Sequence, residues 1–243
     1  MTTYESSAKM AQYIEAEWGD AIRDSLPPTT GLDHHPFGLH AATFYREAAR
    51  LVSKFLPDNG VLVDIGCGLG RFAYEIGSLK PSATIHLYDS SHEFTCFLRS
   101  VKGQDNCPPK ILVSTTRISD VHEIPIPALL MDKFGVYKTH AGIVYDNFPQ
   151  LSCDVVSAFN VYDRVPHGER DAFLDSLKKT TRKGGVLVLS TPYDFKPDDI
   201  PDTYDLKSLD IGHVIHEATI AYRMRTSPNY LHDYWTHLVA WRV

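Results

Sequence analysis

The sequence predicts an α/β fold with a mostly parallel sheet and helices on both faces. Two observations carry that prediction. Short β-branched runs alternate with amphipathic segments along most of the chain, and the strand VLVDIG runs directly into a glycine-rich turn and a helix. A third observation concerns the end of the chain, where YLHDYWTHLVAWRV has the pattern of a closing strand, the second half of an antiparallel hairpin.

Taken in order, residues 4 to 18 have helical spacing, with Met10, Tyr13, Ile14 and Trp18 on one face. The loop SLPPTTGLDHHPFGLH follows, and AATFYREAARLVSKFL, 41 to 56, is an amphipathic helix closed by PDNG. VLVDIG is a strand, GRFAYEIGSL a helix and TIHLYD a second strand. SSHEFTCFLRSV is a helix capped by Ser90 or Ser91, with Glu93 in its first turn. CDVVSAFN, ERDAFLDSLKKTT and GGVLVLSTP continue as strand, helix and strand. Residues 103 to 142 interrupt the rhythm with prolines, a weak strand KILVSTT and an IPALLMDKFGVY segment of helical character. They are expected to form an insertion between the second and third core strands of a single domain, 1–243, whose first 40 residues supply a helix and a lid loop.

Composition narrows the function. The 243 residues are 43% hydrophobic and 22% charged, as in ordinary globular proteins, with a formal net charge of -6. A negative balance disfavours nucleic acid and anionic membrane surfaces, which call for a basic face. The opening MTTYESSAKMAQYIEAEWGD lacks a basic segment followed by an apolar one, so no secretory leader is expected. No apolar run approaches the roughly 18 residues of a membrane helix. The cysteines Cys67, Cys96, Cys107 and Cys153 show no C-x-x-C spacing, as expected of reduced thiols in a cytoplasm.

Gly66, Gly68 and Gly70 stand between the first strand and its helix, where a tight turn lets a ligand approach bare backbone. Asp64, two residues earlier, disfavours a phosphate and suits a cationic or hydroxylated ligand. Asp89 ends the next strand nineteen residues after Gly70, where an acid can hold both ribose hydroxyls. A nicotinamide-dinucleotide fingerprint would instead read G-x-G-x-x-G without the leading acid.

With these residues the chain resembles the class I S-adenosylmethionine methyltransferases, over about residues 40 to 243. The resemblance implies a Rossmann-like, seven-stranded sheet with an antiparallel C-terminal hairpin and S-adenosyl-L-methionine as cofactor. It implies Asp64 and Gly66 at the cofactor's amino-acid end, Asp89 on the ribose and Asp146 of IVYDNFP beside the adenine amine. It also places Asn160, at the tip of CDVVSAFN, beside the transferable methyl at the carboxyl end of the fourth strand.

The polar cluster that ends this strand, Asn160, Tyr162, Asp163 and Arg164, is thereby aimed at the acceptor. Imidazole suits such a cluster, because only its unprotonated nitrogen attacks. A carboxylate accepting the other N–H fixes the tautomer and stabilises the imidazolium formed. The run N-V-Y-D-R-V-P is similar to a segment of the N-methyltransferase domain of ovothiol-biosynthesis enzymes, and protein-histidine N-methyltransferases carry a related N-x-x-D-R run. LSTPYDF resembles that domain's S-P-Y-T-W stretch, departing at YDF. The expected activity is therefore N-methylation of the imidazole of a small histidine derivative such as a thiohistidine, with Asn160 and Asp163 catalytic. A small thiol, phenol or peptide-histidine acceptor and a catalytically silent cofactor-binding subunit are the alternatives.

Tyr193 falls at another carboxyl strand end, as a wall of the acceptor pocket. Tyr222, Arg223 and Arg225 offer a substrate carboxylate hydrogen bonds and charge. Tyr230, His232, Asp233 and Tyr234 lie close enough in sequence to line the same wall. An ion pair between Asp163 and Arg164 that caps the turn is the plainer reading of those two residues. His34, His35 and His40 sit on a loop without a fixed scaffold, so no metal is expected. The loop reads as a lid in which Phe37 or a histidine touches ligand.

Overall fold

The computed structural model describes residues 17–18, 41–101, 110–114, 121–125, 134–138, 152–193, 205–227 and 230–243. Besides the helical residues 17–18, the described residues form four α-helices, α1 (Ala41–Val52), α2 (Arg71–Leu79), α3 (His92–Val101) and α4 (Arg170–Thr180), and nine strands. The strands are β1 (Val61–Ile65), β2 (Thr84–Asp89), β3 (Lys110–Ser114), β4 (Val121–Pro125), β5 (Phe134–Lys138), β6 (Cys153–Phe159), β7 (Thr181–Tyr193), β8 (His213–Ser227) and β9 (Tyr230–Arg242). Seven of them form one sheet in the order β5-β2-β1-β6-β7-β9-β8. Pairing is parallel from β5 through β7, and β9 runs antiparallel to both β7 and β8. The expected doubly wound sheet with its reversed terminal hairpin is therefore present.

Alternation along the strands divides the core in two. Leu62, Val155, Val188, Leu238 and Ala240 face α1, α2 and α3 through Phe44, Phe72 and Phe97. Val63, Val156, Leu187, Leu189 and Trp241 face α4 through Phe173, Leu174 and Leu177. Strands buried on both faces are why β1, β6 and β7 read as apolar runs. Ser91 provides the cap of α3, its Oγ accepting from the Phe94 N–H at 3.3 Å.

The segment 103–142 departs from expectation. Phe134–Lys138 is a parallel strand on β2, with Val136 opposite Leu87 and Tyr137 opposite Tyr88, where helical character was expected over IPALLMDKFGVY. Local propensity there yields to an open sheet edge that supplies ladder partners. The main sheet's third strand in chain order thus lies inside the supposed insertion, and β6 is its fourth. The excursion retains a separate antiparallel pair, β3 with β4.

The order of the strands sets the position of the site. From β1 the chain builds outward through β2 to β5, then returns to place β6 on β1's other side. Ligands bind at the carboxyl ends of strands beside such a reversal. Among the described residues no helix is long and apolar enough to cross a membrane.

Candidate functional site

At the carboxyl end of β1, Gly66, Gly68 and Gly70 take φ of 66°, 53° and 77°, left-handed values that disfavour residues bearing a Cβ. The loop is pinned to β2: the Gly66 and Cys67 N–H groups both donate to the Tyr88 carbonyl, at 2.7 and 3.1 Å. Gly70 is the N-cap of α2. Asp89 clasps the turn from the neighbouring strand end, with Oδ2 accepting from the Gly68 N–H at 2.9 Å and Oδ1 from the Ser91 N–H at 2.8 Å.

Asp64 is 2% exposed and faces Ser157 across the β1–β6 ladder. The Ser157 hydroxyl donates to Asp64 Oδ1 at 2.7 Å. Burial pushes the Asp64 carboxyl up to about 7, the Ser157 hydrogen bond opposes this, and the Asp89 charge adds to it. Burial likewise raises Asp89 to about 6 against the N–H groups that stabilise its charge. Cys67, between them, is pushed well above the ordinary thiol value by burial and the surrounding carboxylates, which makes it a poor nucleophile.

The polar end of β6 meets this loop. A Cβ on Gly66 would collide with the Val161 side chain, so the residue after Asn160 packs directly on the glycine turn. Asn160 has φ 55°, the single non-glycine residue with positive φ among the described residues. Its N–H donates to the Ser190 carbonyl at 2.9 Å and its Oδ1 accepts from the Ser190 hydroxyl at 3.0 Å. Backbone strain held in place by a neighbouring strand is a feature of functional sites.

Tyr162, Asp163 and Arg164 form one 3₁₀ turn. Asp163 is 10% exposed at its side chain, and its Oδ2 pairs with Arg164 Nε at 3.0 Å. Its Oδ1 is buried without a hydrogen-bond partner among the described residues. Burial pushes Asp163 up to about 6, against Arg164 and Arg170. The anticipated ion pair is thus formed, yet it engages only one carboxylate oxygen. Arg164 is 62% exposed at its side chain. Tyr162 packs in the apolar cluster against α4, with the Arg170 guanidinium 5.0 Å from its ring centroid.

Tyr193, Tyr222, Arg223, Arg225, Tyr230, His232, Asp233 and Tyr234 lie on β7, β8 and β9, where register sets Tyr222 opposite Tyr234 and Arg223 opposite Asp233. Asp146, His34, His35, Phe37 and His40 lie outside the described residues. Among the described residues no group of three or more histidine, cysteine or acidic side chains is placed to hold a metal ion.

Sequence reasoning missed Glu17 and Arg71. Trp18 was expected on an apolar helix face, but helical spacing gave its neighbour Glu17 no reason to point inward. Arg71 read as an ordinary first-turn residue, yet it is wholly buried, with Nη1 donating to the Glu17 carbonyl at 2.7 Å and Nη2 to Glu75 Oε1 at 2.6 Å.

A glycine turn at a switch point, flanked by buried carboxyl groups rather than cations, suits a cationic or hydroxylated ligand. A phosphate would meet Asp64 and Asp89, whereas a ribose and a positively charged amino-acid end fit them. The fold is that of a class I methyltransferase. Residues 39–228 match the methyltransferase-domain family, and the chain belongs to it. It is an S-adenosylmethionine-dependent methyltransferase.

No curated protein matches the chain. Similar solved structures include precorrin-6y C5,15-methyltransferase from Geobacter metallireducens, 18% identical, covering 82% of this chain and 86% of that one with a TM-score of 0.51. A SAM-dependent methyltransferase from Aquifex aeolicus is 12% identical over 82% of this chain and 90% of that one, with a TM-score of 0.52. A structure concerning conversion of a disulfide bond into a thioacetal group during echinomycin biosynthesis is 13% identical over 81% and 80%, with a TM-score of 0.55. At these identities the likeness is one of fold.

Proposed function

We propose that the chain N-methylates the imidazole of a small histidine derivative such as a thiohistidine. The observation that carries this reading is Asp163 Oδ1, a buried acceptor without a partner among the described residues, in the turn directly after the β6 tip. Such an oxygen calls for an N–H donor, and neutral imidazole offers one at the nitrogen opposite its nucleophilic lone pair. The resemblance of N-V-Y-D-R-V-P to histidine-methylating enzymes supports the same class.

The bound cofactor supplies a methyl group already activated by its sulfonium. The protein's part is to bind, orient and exclude water. Asp64 and the glycine backbone take the amino-acid end, Asp89 the ribose and Asp146 the adenine amine. Asn160, fixed through Oδ1 to Ser190, keeps its amide nitrogen available to steer the acceptor ring. Asp163 would accept the imidazole N–H and stabilise the positive charge the ring acquires as its other nitrogen takes the methyl and the carbon–sulfur bond breaks, the sulfur keeping the bonding pair and leaving as S-adenosylhomocysteine, with the N–H proton then passing to water. Tyr162, Arg164, Tyr193, Tyr222, Arg223, Arg225, Tyr230 and Tyr234 are proposed as the surroundings of the acceptor, with an arginine meeting its carboxylate.

The named neighbours concern a precorrin and echinomycin biosynthesis, so fold alone selects no acceptor. The test incubates the pure protein with methyl-labelled cofactor and a panel of imidazoles, thiols, phenols and histidine peptides, mapping any methyl by mass spectrometry. The expected product carries it on an imidazole nitrogen of a free histidine derivative. Asp163→Ala is expected to slow that reaction by roughly a hundredfold with adenosylhomocysteine affinity unchanged. Near wild-type turnover in the variant rejects the role of Asp163, and transfer to a thiol or phenol alone rejects the imidazole reading.

A further inference from the structure

Two residues from the N-terminal part of the chain cover the glycine loop. Trp18 anchors them: its indole Nε1 donates to the Leu69 carbonyl at 3.1 Å, and its ring stands edge-on to Tyr74 with centroids 5.1 Å apart. The Arg71 guanidinium lies 5.2 Å from the indole centroid. With the Glu17 carbonyl also held by Arg71, the Glu17 side chain reaches over the turn. Its Oε1 lies 3.3 Å from where a Cβ on Gly68 would stand, and Oε2 lies 3.9 Å from it. The Tyr45 hydroxyl donates to Oε1 at 3.3 Å. Oε2 is buried without a hydrogen-bond partner among the described residues, on a residue only 3% exposed.

A buried carboxyl oxygen with no donor costs free energy unless a ligand supplies one. We infer that Glu17 is a further cofactor-binding residue, its Oε2 accepting a hydrogen bond from the α-ammonium of the cofactor's amino-acid end. The inference rests on the cofactor assignment above. The charge around Glu17 favours a cation: among the described residues Asp89 is its charged acidic neighbour, Tyr45 and the Leu69 N–H are neutral donors, and the cation beside it, Arg71, is committed to Glu75. A sulfonium carries no N–H and cannot satisfy the oxygen. The ribose hydroxyls fall to Asp89. An ammonium brings both a full charge and three donors. Burial pushes Glu17 up to about 8, so such a ligand would ionise it on binding.

The test compares wild type with Glu17→Gln by calorimetry at pH 7, using S-adenosylmethionine, S-adenosylhomocysteine and methylthioadenosine. The first two carry the ammonium and the third lacks both ammonium and sulfonium. The glutamine retains an acceptor for Tyr45, and thermal melts verify folding. The expected result is a loss of about tenfold or more for both amino-acid-bearing ligands, with methylthioadenosine within about twofold. Wild type is also expected to release close to one proton more per adenosylhomocysteine bound than the variant does. An unchanged affinity, an equal loss for methylthioadenosine or a loss confined to the sulfonium ligand overturns the inference. A crystal of the wild-type protein with adenosylhomocysteine reads the contact without substitution: Oε2 within about 3.2 Å of the amine supports it, and a separation beyond about 4 Å overturns it. Wild type that binds neither amino-acid-bearing ligand would instead refute the cofactor assignment.

Discussion

Gly66 joins the two halves of the site at a single backbone position. Its φ of 66° and the nearness of Val161 both forbid a side chain, for separate reasons. The left-handed conformation costs a Cβ-bearing residue about 1–2 kcal/mol. The collision with Val161 adds a displacement of the segment that carries Asn160. Gly66→Ala is therefore expected to weaken adenosylhomocysteine binding about tenfold or more by calorimetry. Gly184→Ala is the control, since Gly184 has φ 75° with open space around it. It should lower stability by about 1 kcal/mol and leave affinity unchanged. Equal affinities for the two variants would show that the Gly66 turn is not part of the binding surface.

At the scale of elements, the strands that present the site are clasped at their opposite ends. Asp154, near the start of β6, accepts from the Val61 N–H of β1 at 2.8 Å and from Arg182 Nε of β7 at 2.7 Å. Burial is the largest single influence and raises its carboxyl, but these hydrogen bonds and the Arg182 charge together outweigh it and hold the group below the usual range. One residue thus fixes the relative slide of three strands. Asp154→Ala removes an acceptor from a strand-end N–H and is expected to cost about 1–2 kcal/mol, read as a lower urea midpoint with unchanged slope. Adenosylhomocysteine affinity should stay within about twofold, because the clasp lies at the amino ends of the strands. A large loss of affinity would mean that strand slide, rather than local geometry, sets the site.

Across the whole molecule, the cofactor-free site stores acidic groups whose ionisation folding disfavours. Glu17, Asp64, Asp89 and Asp163 are raised by burial to about 8, 7, 6 and 6 from ordinary values of 4.5 and 3.8. Between those ordinary values and about pH 8 the folded chain binds more protons than the unfolded chain, so stability falls as pH rises. Asp58, Asp154 and Glu217 are lowered and act only below the window, where acid removes their contribution. Burial lowers His86, which opposes the trend just under pH 6.5 as one group against four. The cofactor-free protein is expected to melt at a higher temperature at pH 5.5 than at pH 8.5. A Tm that rises across this range would contradict the burial of these carboxyl groups.

The sequence by itself determined the layered fold and the middle of the candidate site. Strand and helix periods in VLVDIG, TIHLYD, CDVVSAFN and ERDAFLDSLKKTT are local, and burial on both sheet faces leaves them little freedom. Asp64, the glycines and Asp89 were legible because a turn that exposes backbone to a ligand restricts residue type at fixed spacing. Only the tertiary structure decided what arrives from far along the chain. Sheet-edge pairing made FGVYK a strand where its local pattern spoke for helix. Packing brought Val161 onto Gly66, Ser190 onto Asn160, and Glu17 with Trp18 over the loop. Contacts such as that between Ser157 and Asp64, 93 positions apart, leave no periodic signal. Their energies depend on surfaces that exist only once the sheet has closed.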